Sequence, residues 1–291
     1  MVPVSHRKEL SLLLSEKLQL QGEISEVKSV GGGSINEAYS FDFGGHRYFL
    51  KKNNKTKFPK MFEKEVAGLL ELAKCRLLIV PAVILNTVLE DEQYLVLEYL
   101  ETKTETEAYF GELGKAIAAM HKIKAERFGF TESNFIGSLT QNNQQKSTWQ
   151  EFFVTQRLEP LVRWCFDEKC FSQAVLRSFE NLYEQINSIF PEEKPSLLHG
   201  DLWAGNKMNT SKGPSVFDPA VYYGHREMDL SMSKLFGGFH PVFYESYFAE
   251  YPPDKGFEKR TDICNLYPLL VHVKLFGQGY LHDVLATVRR F

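Results

Sequence analysis

The chain has 291 residues, 43% of them hydrophobic and 24% charged, with a formal net charge of −3. A chain of this length has room for one large domain or two modest ones and buries roughly three quarters of its unfolded surface, so no disulfide or metal staple is needed. The composition excludes a disordered chain, a collagen and a disulfide mini-protein, and the charge supplies no basic face for a duplex nucleic acid. Aromatic residues make up 13%, which points to well-filled cores or to pockets that receive flat or apolar ligand parts. Cys75, Cys165, Cys170 and Cys264 read as reduced, mostly buried thiols, because Cys165 and Cys170 lack the second pair a zinc site needs. No apolar run reaches the roughly eighteen residues of a membrane span, and the apolar stretch Leu12–Leu14 is too short for a signal peptide. A cytoplasmic protein is expected, monomeric by default, with neither membrane nor nucleic acid as partner.

Residues 5–20 read as a helix with Leu10, Leu13, Leu14 and Leu18 on one face. Residues 23–52 read as strand, glycine loop, strand, turn and strand, with Gly44-Gly45 as the hairpin turn. Pro59 suits the first turn of a helix that carries Phe62, Val66, Leu69, Leu70 and Ala73 on its apolar face. Two strands follow, at 79–88 and 93–99. Near residue 100 the pattern changes. Thr104-x-x-Glu107 has the form of a capping box, ahead of a helix that ends near His121. Residues 124–147 read as loop, 148–190 as two or more helices, 205–218 as flanked by short strands, and Glu227 onward as helical. The expected layout is α+β: a five-stranded antiparallel sheet with a helix in residues 1–99, then a larger, mainly helical lobe in 100–291. The hinge falls near Tyr99–Thr104, and a cleft between two such lobes is a common place for a site.

The most informative segment is Leu198-His199-Gly200-Asp201-Leu202-Trp203-Ala204-Gly205-Asn206, followed by Val216-Phe217-Asp218-Pro219. An isolated Asp-x-x-x-x-Asn beside glycine is usually a turn. Here a second acid follows twelve residues later in an apolar strand context, a distance that a short hairpin spans. The residue types suit phosphoryl transfer. A carboxylate such as Asp201 accepts the proton of an attacking hydroxyl, and Asn206 with Asp218 offers the hard oxygens that Mg²⁺ takes. His199 is expected to brace the loop.

Gly31-Gly32-Gly33-Ser34, with Asn36 behind it, lets backbone N–H groups approach a phosphate, although it is neither G-x-G-x-x-G nor a Walker A sequence. Lys51 ends a strand, and Glu65 lies on the following helix. Such a pair holds the ATP α/β-phosphates in kinase-like folds. Lys52 and Glu63 compete for the two roles. Alternation favours Lys51, which shares a strand face with Phe49.

The order of these parts resembles the protein-kinase-like superfamily, and the His-Gly-Asp form resembles its aminoglycoside phosphotransferase and choline kinase branch. Six stretches narrow this to similarity with the fructosamine/ketosamine 3-kinase family. They are Gly31-Gly32-Gly33-Ser34-Ile35-Asn36, Phe49-Leu50-Lys51-x-Asn53, His199-Gly200-Asp201-Leu202-Trp203-x-Gly205-Asn206, the run Asp218-Pro219-Ala220-Val221-Tyr222-Tyr223-Gly224-His225-Arg226-Glu227-x-Asp229-Leu230, Leu235-Phe236-Gly237-Gly238-Phe239, and His272-x-x-Leu275-Phe276-Gly277-x-Gly279-Tyr280. The likeness runs from about residue 20 to the end. It implies a bilobal kinase-like fold and Mg²⁺- and ATP-dependent phosphorylation of the sugar 3-hydroxyl of a ketosamine, free or bound to a protein lysine. Enolisation toward C1 then makes the 3-phosphate an allylic leaving group, and its loss frees the amine.

By the same resemblance Asp201 is the catalytic base, Asn206 and Asp218 are metal ligands, and Lys51 with Glu65 places the phosphates. The adenine hangs from the backbone near Glu98, Tyr99 and Leu100. Trp203, Tyr222, Glu227 and His272 are expected on the acceptor side. For Trp203 and His272 a core role is the equal alternative, and Asp229 is expected to hold the catalytic loop rather than a substrate. Ser34 stands where many relatives have Cys, and His225, Val271 and Lys274 depart from the family's pattern near the expected acceptor end. Within the same class an aminoglycoside or choline kinase is the alternative. Outside it the alternative is a non-catalytic nucleotide-binding protein, which would be expected to lack one of Lys51, Asp201, Asn206 or Asp218.

Overall fold

The computed structural model describes residues 2–31 and 35–291. Helix α1 (Val4–Leu18) precedes strands β1 (Ser25–Val30), β2 (Glu37–Phe43) and β3 (His46–Asn54). Helix α2 (Met61–Leu72), β4 (Val83–Leu89) and β5 (Glu92–Glu98) complete the first lobe. The strands form one antiparallel sheet in the order β1-β2-β3-β5-β4, the five-stranded sheet read from the sequence. Alternation along β3 and β5 divides its two faces. Tyr48, Leu50, Tyr94 and Val96 pack with Leu10 and Leu14 of α1, whereas Phe49, Leu95 and Leu97 pack with Met61, Phe62 and Leu69 of α2. The first strand of the second pair starts at Val83 rather than Ile79. Pro81 has no N–H for a ladder, and Ile79 instead bridges to Ser215 of the other lobe.

The second lobe opens with β6 (Thr102–Lys103) and α3 (Glu107–His121). Thr106, not Thr104, caps α3: its hydroxyl accepts from the Tyr109 N–H, two residues along from the expected box. The segment read as loop holds the hairpin β7 (Asn134–Ile136) and β8 (Leu139–Gln141). Helices α4 (Trp149–Phe152) and α5 (Glu159–Asp167) run on through a π-turn at Phe153–Leu158, and α6 (Gln173–Ile189) follows. Strands β9 (Ser196–Leu198), β10 (Lys207–Thr210), β11 (Gly213–Val216) and β12 (Tyr222–Gly224) carry the loops of interest. Helices α7 (Glu227–Met232), α8 (Pro241–Glu250), α9 (Phe257–Phe276) and α10 (Leu281–Val288) finish the chain. Leu72, Cys75 and Leu78 pack into the core built on α3 and α8, so apolar packing crosses the expected boundary at residue 99. Among the described residues no helix is long and apolar enough to cross a membrane.

Candidate active site

The loop between β9 and β10 is held by one buried carboxylate. Asp229, on α7, accepts from the His199 N–H at 2.7 Å and the Gly200 N–H at 2.9 Å, and His121 Nε2 lies 3.2 Å from it. Asp229 therefore braces the loop and, at 1% exposure, is shut away from the cleft. His199 braces it from within: its Nε2–H donates to the Phe217 carbonyl at 3.0 Å, and its Nδ1 accepts from the Asp201 N–H at 3.3 Å. Gly200 has φ +80°, and a Cβ there would sit 2.0 Å from the Ala220 carbonyl oxygen, so only glycine lets the two segments pass.

At the loop's far end the Asn206 amide donates to both the carbonyl and Oδ2 of Asp201, each at 2.9 Å. Burial pushes the Asp201 carboxyl up to about 7. The Asn206 hydrogen bond opposes that rise, and the charges of Asp218 and Asp229 add to it. A carboxyl near neutrality is poised to take a proton from an alcohol at physiological pH.

The hairpin β10–β11 brings Asp218 back beside this loop, with the Phe217 N–H donating to the Asn206 carbonyl at 3.1 Å. Asp218 adopts φ +55°, a left-handed conformation that Asp tolerates better than most residues. Its Oδ1 accepts from Lys51 Nζ at 2.7 Å, and Glu65 Oε1 accepts from the same ammonium at 2.7 Å. Burial alone would lower the Lys51 ammonium, but the Asp218 and Glu65 carboxylates reverse this and hold it above its ordinary value. Glu65 is raised, chiefly by burial. The competing residues point elsewhere: Lys52 lies on the opposite sheet face, 3.0 Å from Glu37, and Glu63 is exposed.

These groups open onto one cavity of about 620 Å³ between the lobes. Gly31, Asn36 and the Glu98–Leu100 segment, the residues expected at the nucleotide, line this cavity. Asn36 is fixed by the Asn53 amide at 2.8 Å. The expectations for Gly32, Gly33 and Ser34 fall outside the described residues.

On the opposite side Trp203 and His272 both line the cavity. The Trp203 ring lies over Gly205, where a Cβ would come within 2.3 Å of it, and meets Phe236 edge to face at 6.4 Å. Phe236 in turn contacts His272 and Tyr280. The Nδ1–H of His272 donates to the Pro268 carbonyl at 2.7 Å, which leaves Nε2 as an acceptor, and burial lowers the ring's basicity.

Two residues expected on the acceptor side do not reach it. Tyr222 is 1% exposed, packed in the core under the Arg157 guanidinium at 4.1 Å from its ring. Pairing of β12 with β9 turns it inward. Glu227 is likewise 1% exposed and holds Arg260 in a two-pronged ion pair at 2.6 and 2.7 Å. His225 also lies away from the cleft, buried against Phe190 and Trp149.

The sequence reading missed the wall formed by β7–β8, whose Asn134, Phe135, Ile136 and Gly137 line the cavity. It also missed the amides behind that wall. Asn134 donates to the Val221 carbonyl at 2.7 Å, and Gln141 to the Ala220 carbonyl at 3.0 Å. Asn143 donates to Asn134 and accepts from Arg157, which is 0% exposed. This network clamps the segment joining Asp218 to β12. The alternation of Phe135, Ile136 and Leu139 about Gly137 was the available signal for the hairpin.

Among the described residues no cluster of three or more His, Cys, Asp or Glu forms a metal site. The donor set nevertheless suits Mg²⁺. Asn206 spends its amide hydrogens on Asp201, leaving its oxygen, and Asp218 is 43% exposed toward the cleft. One amide oxygen and one carboxylate, completed by phosphate and water, match the metal's habit of binding few protein groups.

The fructosamine kinase family profile matches residues 6–291. A probable ketoamine kinase of Vibrio parahaemolyticus is 37% identical over 284 residues, covering 97% of each chain. The ketosamine-3-kinase of Mus musculus is 33% identical over 295 residues, covering 91% of this chain and 95% of that protein. Among solved structures, a candidate fructosamine-3-kinase of Thermobifida fusca YX-ER1 superposes with a TM-score of 0.86 at 30% identity, over 96% of this chain and 97% of that one. The aminoglycoside phosphotransferase APH(4)-Ia shares the fold, with a TM-score of 0.62 at 17% identity over 96% of this chain and 98% of that one. With a profile match across nearly its whole length and relatives above 30% identity over nine-tenths of it, the chain belongs to the fructosamine kinase family and is a kinase.

Proposed function

We propose that this kinase transfers the γ-phosphoryl group of ATP to the sugar 3-hydroxyl of a ketosamine, and so starts release of the amine. The observation that carries the reading is that Asp201, Asn206 and Asp218 share one cavity with the Lys51–Glu65 pair and with an aromatic wall. Lys51 orients the nucleotide phosphates, and Glu65 keeps that ammonium in place. Asp201 accepts the hydroxyl proton as the oxygen attacks, with Asn206 fixing the carboxylate's direction. Mg²⁺, when bound by Asn206 and Asp218, neutralises charge on the phosphates. Trp203 packs against the sugar, and His272 Nε2 accepts from one of its hydroxyls.

The acceptor wall favours a ketosamine over an aminoglycoside. Met232, Pro268, Val271, Leu275 and Phe276 are uncharged, and the only carboxylates among the described lining residues are Glu65, Glu98, Asp201 and Asp218. A polycation would need more acids on its own side of the cleft.

The test is ADP release from Mg·ATP with fructosyl-lysine, ribulosyl-lysine, choline and kanamycin as separate acceptors. Turnover is expected on the ketosamines, and Asp201→Asn should lower kcat by roughly 10²- to 10⁴-fold while still binding ATP. Turnover on choline or kanamycin alone would overturn the substrate, and wild-type turnover by Asp201→Asn would remove the base.

A further inference from the structure

The C-terminus of α5 places two cysteines together. The Cys170 N–H donates to the Cys165 carbonyl at 2.8 Å, the Lys169 N–H donates to the Phe166 carbonyl at 2.9 Å, and Lys169 is left-handed at φ +60°. These are the two bonds and the αL residue of a Schellman cap, which brings together the backbone at the two ends of the longer bond, here Cys165 and Cys170. Standard bond lengths set a ceiling on their separation: with that hydrogen bond in place the two Cα atoms are at most roughly 6.7 Å apart. A disulfide needs about 4.4–6.8 Å, so the backbone already stands within reach.

The two thiols differ in access. Cys165 is 0% exposed, whereas Cys170 is half-buried and reaches the surface. Burial pushes the Cys165 thiol up to about 12, so it does not compete for an external oxidant. Cys170 is also tied to the cleft. Its Sγ accepts from Gln278 Nε2 at 3.6 Å, and Gln278 belongs to the short turn Gln278–Tyr280. Tyr280 packs on His272 and Phe236, which continue the acceptor wall.

We infer that Cys165 and Cys170 form a reversible redox pair whose disulfide releases Gln278 and loosens the acceptor side of the cleft. A low-molecular-weight disulfide such as oxidised glutathione supplies the oxidising equivalents. The Cys170 thiolate attacks one of its sulfurs, forming a mixed disulfide and expelling one glutathione thiol. Cys165 sulfur then attacks the Cys170 sulfur, and its proton passes to the second glutathione sulfur as that is expelled as a thiol. Two protein thiols are oxidised, and one glutathione disulfide is reduced to two thiols.

Peptide mapping tests the pair directly. Lys169 lies between the cysteines and Arg163 precedes them, so trypsin separates residues 164–169 from 170–177. After treatment of the full-length protein with oxidised glutathione, alkylation and unfolding, the two peptides are expected to remain joined and to separate on reduction. Cys170→Ser should abolish the link, with Cys75 and Cys264 serving as buried internal controls. The oxidised enzyme should show an acceptor KM raised by roughly two- to tenfold, the range of one lost hydrogen bond, with the KM for ATP unchanged and full recovery on reduction. Glutathione left on Cys170 with Cys165 free, or no reaction at either thiol, would overturn the pair. A formed link with an unchanged acceptor KM would overturn its coupling to the cleft. The kinetic arm rests on the ketosamine reading, whereas the peptide map uses no acceptor, so the two failures are distinguishable.

Discussion

Replacing Asp229 by Asn isolates the support of the catalytic loop from its chemistry. Both carboxylate oxygens are occupied: Oδ2 accepts from the His199 N–H and faces His121 Nε2, and Oδ1 accepts from the Gly200 N–H. An Asn side chain keeps one acceptor. In either orientation its NH₂ faces a backbone N–H, so one charge-assisted bond is lost and a buried donor is left unpaired. Such a loss costs about 2–4 kcal/mol in a site that water does not reach. For a chain of this size the melting temperature should fall by roughly 3–7 °C. The same change lets the peptide at His199-Gly200 move, and Asp201 with it. Misplacing a catalytic group by about 1 Å costs on the order of 10²-fold. The expected pattern is a kcat lowered by roughly 10- to 100-fold with the KM for ATP nearly unchanged, because Asp229 does not line the cavity. Thermal unfolding and steady-state ADP release measure both effects. A melting temperature within about 1 °C of wild type, with normal kcat, would mean that the loop is held by its own bonds and that the Asp229 argument is wrong.

Other substitutions probe separate parts of the arrangement. Asp218→Asn should weaken Mg²⁺-dependent ATP binding, read by calorimetry with and without the metal; equal metal dependence in the two proteins would take Asp218 out of the metal site. Tyr222→Phe should leave the acceptor KM unchanged, since that ring lies in the core, and a severalfold rise would return Tyr222 to the substrate side. His225 governs part of the acid response. Burial, with the nearby Arg226 and Arg260 charges, depresses it to about 3, so its contribution is complete above the ordinary histidine range and is lost as pH falls from about 6.5 toward 3. At about pH 4.5 the linked loss is about 3 kcal/mol, and His225→Phe, which keeps the packing on Phe190 and Trp149, should flatten the fall in melting temperature over that range. An identical pH profile in the variant would assign the acid sensitivity to other groups.

What the sequence determined about this protein was whatever is written in local order. Alternation in β3 put Lys51 on the face with Phe49 and Lys52 on the other, because neighbouring residues in a strand point opposite ways. The short interval from Asn206 to Asp218 required a hairpin, and a hairpin returns both to one cleft. The apolar periodicity of α1, α2 and α3 set those helices before any contact was known. Tertiary structure decided whatever depends on which element lies behind a residue. Tyr222 and Glu227 stand in a polar, aromatic run that resembles a ligand surface, yet Arg157 and Arg260, distant in sequence, draw them into the core. Asn134, Gln141 and Asn143 look like loop residues, since amides are common in turns. They become an interior clamp only because Ala220 and Val221 present carbonyls to them across the fold. The family resemblance already pointed to Asp229 as a brace for the loop, but local order did not. A carboxylate thirty residues beyond His199 carries no local mark of the backbone N–H groups it receives, and only the packing of α7 beneath the loop brings them together.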